Sequence, residues 1–152
     1  MSTSHNQRTQ SMLKHPHNLL HRLHYTHLKR VPLVMQSEVS ECALACVAMI
    51  SGYYGYQINV ASLRRMVRIG TQGMNLKQVM ELASRIRLTA RAVQCEVEEL
   101  DQLSLPCIIH WDLNHFVVLT KVCNGKVDIN DPAQGKRQLS TIEFARSFTG
   151  TH

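Results

Sequence analysis

From His115 to Asn130 the chain reads HFVVLTKVCNGKVDIN. Two runs dense in β-branched residues flank Asn124-Gly125, and both turn residues tolerate positive φ. The segment therefore predicts a tight antiparallel hairpin. A hairpin closed at that turn sets residue 134 level with His115, so Asp131 falls nearby on the exit of the returning strand.

The texture before Leu88 is different. Ser40 is placed to cap a helix through ECALACVAMISGYYG (41–55), which is apolar on all sides and therefore buried, with Gly52 and Gly55 ending it. Asn59 opens a second helix, with Val60, Leu63, Met66 and Val67 at helical spacing and Gly70 as its stop. Asn75 opens a third, LKQVMELASRIR (76–87), and Arg64, Arg65, Arg68, Arg85 and Arg87 read as solvated faces of these helices. Beyond it LTARAV (88–93) alternates and predicts a strand, EVEELDQL (96–103) a short acidic helix, and CIIHW (107–111) a strand. After the loop DPAQG (131–135), KRQL is a strand and STIEFARSF (140–148) a closing helix capped by Ser140 or Thr141. Helices come first and antiparallel strands second, which is an α+β order with segregated halves.

Charge divides the chain at residue 30. Residues 1–30 hold five of the 17 Lys and Arg and no acid, and residues 31–152 hold the other 12 with all 11 acids. The basic balance thus belongs to a tail (1–30) rather than to the domain (31–152), and it predicts no nucleic-acid surface. Six of the nine histidines lie in the tail. Residues 18–30 read as a short amphipathic helix, and His17, His21 and His24, at spacings of four and three, would share one face of a helix that included His17, but no nearby Cys or carboxylate completes a metal shell. No metal or cofactor is expected. The sequence has no run of about 18 apolar residues and no apolar secretory core at its start. An odd count of five cysteines without regular spacing predicts reduced thiols.

Of those cysteines, Cys42 alone sits near a predicted helix start, where the helix dipole and unpaired N–H groups stabilise negative charge. Cys46 lies one turn deeper, and Cys95, Cys107 and Cys123 fall in or beside strands. A thiol nucleophile needs a base, and His115 begins a strand from which its ring can face a helix start. His110, inside an apolar run, is the competing histidine. An acid must then fix the imidazole. Asp131 suits that place through the hairpin, and Asp112 is the alternative in the turn before the strand. The N–H of Cys42 and the amide of Gln36, six residues upstream, are candidate oxyanion donors.

The stretches VPLVMQSEVSECALACVAMI (31–50), HFVVLTKV (115–122) and INDPAQG (129–135), in this order, resemble the N-terminal peptidase domain of ABC transporters that export bacteriocins and microcins. CIIHWDLNHFVVL (107–119) is similar to the colicin-type branch. The resemblance implies a papain-like cysteine peptidase fold over 31–150. It implies Cys42 as nucleophile, His115 as base, Asp131 as orienting acid and Gln36 as oxyanion-hole residue. It also implies removal of a leader peptide after a double-glycine-type site, coupled to export at the cytoplasmic face of the bacterial inner membrane. The partners it implies are the leader segment and the transporter's membrane and ATPase domains. This sequence has no phosphate-loop motif and no spanning stretch, so it is expected to correspond to one excised domain of such a transporter. Two residues depart from the family's Asp-Cys-Gly pattern, which here is Glu41-Cys42-Ala43. The Ala43 methyl would crowd a substrate backbone if it faced the site. A non-catalytic docking domain of the same fold is the alternative from a different class. Relatives of that kind lack the nucleophile, whereas Cys42 is present here.

Overall fold

The computed structural model describes residues 29–150, and the compact unit begins at Val31. The His-rich segment and all but the last two residues of the helix expected over 18–30 lie outside the described residues. A 3-10 turn at Val39–Glu41 leads into α1 (Cys42–Tyr53), followed by α2 (Val60–Met66) and α3 (Leu76–Arg85). A second 3-10 helix, Val97–Gln102, precedes the strands β1 (Cys107–Trp111), β2 (His115–Cys123), β3 (Lys126–Asp131) and β4 (Gly135–Ser140). The helix α4 (Thr141–Ser147) follows.

The strands form one antiparallel meander in the order β1-β2-β3-β4. The Asn124-Gly125 turn has both residues at positive φ, +51° and +71°, as a two-residue hairpin requires. Its register pairs Cys123 with Lys126 and Lys121 with Asp128, then slips by one at a bulge around Thr120, so that Val118 pairs with Asn130. Extended to the start of β2, this sets residue 133 level with His115, one residue closer to Asp131 than a regular ladder would.

Both faces of the sheet are covered. Phe116, Val118 and Ile108 meet the three helices in a cluster that includes Leu44, Val47, Met49, Leu63 and Leu82. Ile109, Trp111, Val117, Leu119, Val127 and Ile129 meet Leu100 and Phe144 on the other side. This two-sided burial explains why β2 reads as a continuous apolar run rather than an alternating one: Phe116 through Leu119 are all buried. For the same reason α1 carries no polar face, since Cys42 through Met49 are all buried and the helix lies at the centre of its cluster.

The structure departs from the sequence expectations at several element ends. Ser40 caps nothing; the 3-10 turn starts after Glu38, and Cys42 is the first residue of α1 rather than its second. Gly52 lies inside α1, where it makes room for a crossing chain: a Cβ there would sit 2.7 Å from Pro32 Cγ. The second helix stops at Met66, four residues before Gly70, because Val67 is already extended. Residues 88–93 form no strand, since their backbone finds no partner strand. The Asn59, Asn75 and Ser140 caps are all present, each side chain accepting from the backbone N–H three residues on.

Phe144 joins the second cluster together. Its ring lies 5.1 Å from Trp111 and 5.2 Å from Phe148, fully buried. Phe144→Ala is expected to lower unfolding free energy by about 3–5 kcal/mol in urea titrations; a loss under about 1 kcal/mol would mean that α4 is not part of the core.

Candidate active site

Three elements meet where β2 begins, β3 ends and α1 begins. His115 Nε2 lies 2.8 Å from Asp131 Oδ1. The Cys42 side chain acts on the same ring, and with Nε2 taken by Asp131 it is Nδ1 that remains for the sulfur. Asp131 Oδ1 also accepts from the Ala133 backbone N–H at 2.8 Å, the Asx-type turn that the Asp-Pro-Ala sequence favours. Arg137 Nη1 lies 3.5 Å from the other carboxylate oxygen. The carboxylate is therefore held from three sides, and at 1% exposure it has almost no contact with solvent.

These contacts set the charges. Burial alone would lower the His115 pKa. The hydrogen bonds to Asp131 and Cys42, with the negative charges of both, outweigh burial and push it up to about 9. Burial likewise acts to raise Asp131, but the His115 hydrogen bond, the Ala133 and Gln134 N–H groups and the imidazolium charge hold it below its usual value. At neutral pH the ring is cationic, its Nε2–H donates to an ionised Asp131, and its Nδ1–H is left for the sulfur. The group titrates as part of a coupled set rather than alone.

The other cysteines lack this surrounding. Cys46 is fully buried, and desolvation, then Cys42 and Asp131, push its thiol well up. Burial and the nearby Cys95 push Cys107 up to about 12. Burial, with Glu99 and Glu96, raises Cys95. Cys123 is exposed at the far end of β2.

The competing residues fall elsewhere. His110 Nδ1 lies 3.1 Å from Thr149 Oγ1, which in turn donates to the His110 carbonyl at 2.9 Å, and the ring packs on Phe116. It ties the C-terminal segment to β1. Asp112 is exposed, in the turn between β1 and β2. Trp111 pairs across strands with His115, and its ring is buried against Phe144. The Ala43 methyl is 0% exposed within the helical cluster, so it packs inward and leaves a passing substrate unobstructed.

Gln36 is brought to the site by its backbone. Its N–H donates to the Pro132 carbonyl at 2.9 Å, which joins residues 32–36 to the segment just after Asp131. Upstream, Pro32 packs on Gly52 of α1. The Gln36 Oε1 is buried without a hydrogen-bond partner, alone in this among the described side chains. Such an unpaired amide end is costly unless something else meets it, and rotating the amide by a half turn presents Nε2–H donors instead. Sequence reasoning did not single out Glu41 and Arg64 together: the Glu41 carboxylate is buried and ion-paired with Arg64 of α2. Their separation in sequence hides the pair.

A thiol at a helix start, an imidazole and a buried carboxylate brought together, on a helical layer packed against an antiparallel sheet, define a papain-like cysteine peptidase domain. The Peptidase C39 family model matches residues 30–152, and the chain belongs to that family. It is 43% identical over 122 residues to a probable microcin-H47 secretion/processing ATP-binding protein of Escherichia coli and 42% identical to the colicin V secretion/processing ATP-binding protein of the same species. Each match covers 80% of this chain and 18% of the relative, so the chain spans about a fifth of the length of either. Among solved structures, a double-glycine-motif protease from an AMS/PCAT transporter, crystallised with its leader peptide, superposes with a TM-score of 0.76 at 38% identity. That match covers 81% of this chain and 89% of the other. The peptidase domain of Streptococcus ComA shares the fold, with a TM-score of 0.74 at 24% identity over 80% of this chain and 95% of that one. Among the described residues no helix is long and apolar enough to cross a membrane, and no group of His, Cys, Asp and Glu is arranged to hold a metal ion.

The raised His115 pKa favours folding in full below the ordinary histidine value of 6.5, and that contribution disappears as pH rises through about 9. The lowered Asp131 pKa acts oppositely: its contribution holds above 3.8 and disappears as pH falls through the native value. NMR of the His115 ring is expected to show a midpoint near 9, shifted down in Asp131→Asn and unchanged in Asp112→Asn. A shift in Asp112→Asn with none in Asp131→Asn would assign the acid to the wrong residue.

Proposed function

We propose that this domain is the thiol endopeptidase that removes the leader of a bacteriocin- or microcin-type precursor after a double-glycine-type site. It would work at the cytoplasmic face of the bacterial inner membrane, joined to the membrane and ATPase domains of its transporter. The observation that carries the reading is the His115 ring hydrogen-bonded to the buried Asp131 and coupled electrostatically to Cys42 at the start of α1. The protease crystallised with its leader, and the secretion/processing relatives, point to the substrate class. A passive docking domain would need none of these three groups in contact.

In this reading the Cys42 thiolate attacks the carbonyl carbon before the scissile bond, and the carbonyl oxygen becomes an oxyanion. The Cys42 backbone N–H and a Gln36 amide turned to present Nε2–H stabilise that charge. His115 gives its proton to the leaving amine, leaving a thioester on Cys42. His115 then takes a proton from water, and the hydroxide releases the leader as a free carboxylate. Asp131 holds the ring in one orientation and keeps it cationic when the amine departs.

Cys42 is 3% exposed, so substrate reaches it only through a narrow approach. Small residues before the scissile bond fit such an approach, whereas a branched side chain would overpack it at about 1–3 kcal/mol. The rest of the leader has an apolar surface available. A groove of about 740 Å³ is lined by Val47 and Ile50 of α1, Val79 and Met80 of α3, and Ile108 of β1. Ile50 lies eight residues along α1 from Cys42, roughly 12 Å at helical rise, within reach of a short leader helix followed by an extended cleavage segment.

The test is incubation with synthetic leader peptides and mass measurement of the products. Cys42→Ala is expected to abolish cleavage with the fold intact, and His115→Ala to lose a comparable amount. Gln36→Ala is expected to lower kcat by on the order of 10²–10³ with little change in KM. Turnover retained in Cys42→Ala would overturn the assignment, and a pure KM effect in Gln36→Ala would move that residue to substrate binding. Replacing both terminal leader glycines by Val is expected to stop cleavage; equal rates for the two peptides would refute the narrow approach.

A further inference from the structure

The loop between Gln36 and Cys42 is held by a buried charge. Glu41 Oε2 accepts from the Ser37 backbone N–H at 3.0 Å and from the Glu38 backbone N–H at 2.9 Å. Arg64, reaching from α2, pairs with the same carboxylate and lies 3.5 Å from the Glu38 carboxylate. Glu41 is 3% exposed, while its cation keeps 46% of its side-chain surface in contact with solvent.

A cap for a three-residue 3-10 turn does not require this. The caps at Asn75 and Glu96 do the same task with exposed side chains, and the cap at Ser140 with a half-buried one. A carboxylate taken out of water is costly unless it is both paired and hydrogen-bonded, and Glu41 is both. Its two N–H donors are those of the residues directly after Gln36. Gln36 is itself tied by its backbone to Pro132, next to Asp131. The segment 36–38 is thus fastened at one end to the segment that carries the acid and at the other to the residue preceding the nucleophile.

We propose that Glu41, held by Arg64, is a positioning residue that fixes the Gln36 amide relative to the Cys42 sulfur. The inference rests on reading Gln36 as an oxyanion donor. Displacing a donor by about 1 Å can cost up to 10²-fold in rate, so a loosened loop slows acylation without disturbing substrate docking or the thiolate.

Two measurements separate this role from general support of the fold. Peptide cleavage needs the oxyanion donor; alkylation of Cys42 by iodoacetamide needs the thiolate and no oxyanion donor. Glu41→Met keeps the volume and removes the acceptor. It is expected to lower kcat by about 10- to 100-fold, with KM and the Cys42 alkylation rate within about twofold of the parent. Glu41→Gln keeps a carbonyl oxygen for the two N–H groups and is expected to recover most of the rate. Arg64→Ala, whose removed head group is half exposed, is a second variant with the same readouts should Glu41→Met fold poorly. In a Gln36→Ala background, Glu41→Met is expected to cost no more than about threefold further, because the group it positions is gone. Alkylation falling in parallel with kcat, or full additivity with Gln36→Ala, would overturn the proposal. So would Glu41→Met and Arg64→Ala at the parent rate while Gln36→Ala is slow, and this outcome leaves the oxyanion reading standing. Gln36→Ala at the parent rate would instead sink the oxyanion reading itself.

Discussion

The coupling of one imidazole to both a thiol and a buried carboxylate constrains the rest of this structure. His115 begins a strand, Cys42 begins a helix and Asp131 ends a neighbouring strand. The three meet only if α1 packs with its N-terminus against one end of the sheet. The all-apolar α1, buried from Cys42 through Met49, and the doubly buried centre of β2 supply that packing. The sheet's other face, where Trp111 and its neighbours pack against Phe144 and Leu100, keeps β1 and β2 from shifting under the ring. Polar chemistry is confined to the edge where these layers end, and there the Pro132 and Ala133 backbone and Arg137 hold the acid in place.

Much of this was legible in the sequence because it depends on local rules. Asn124-Gly125 fixes a hairpin whatever surrounds it, and the hairpin's register alone brings Asp131 toward His115. Asn59, Asn75 and Ser140 announce helix starts through their own side chains. Cys42 was separable from the other four cysteines by its place at a helix start. The preference for His115 over His110, and for Asp131 over Asp112, followed from strand ends. The family resemblance agreed with each of these choices.

The parts that stayed hidden depend on partners distant in the chain. Residues 88–93 alternate as a strand would, yet a strand exists only where another strand accepts its hydrogen bonds. The bulge at Thr120, which moves the register one residue toward Asp131, leaves no composition signal. Ser40 looked like the cap of α1, but Glu41, with a long-range cation in Arg64, holds the turn before that helix. Whether the Ala43 methyl faced the substrate or the core could not be known until the packing of α1 was seen. Gln36 could be suspected from its distance to Cys42, but its tie to Pro132 is a contact across the whole domain.

Exposure and electrostatics make opposite forecasts for the five thiols, and this offers the most direct test of the central claim. Limited alkylation with iodoacetamide at pH 7, followed by peptide mass mapping, ranks the cysteines by rate. If His115 and Asp131 hold Cys42 as a thiolate–imidazolium pair, the peptide containing Cys42 is modified first despite its burial, and it loses that lead in His115→Ala. If the exposed Cys123 is modified first, with Cys42 no faster than Cys46, the account of the site is contradicted.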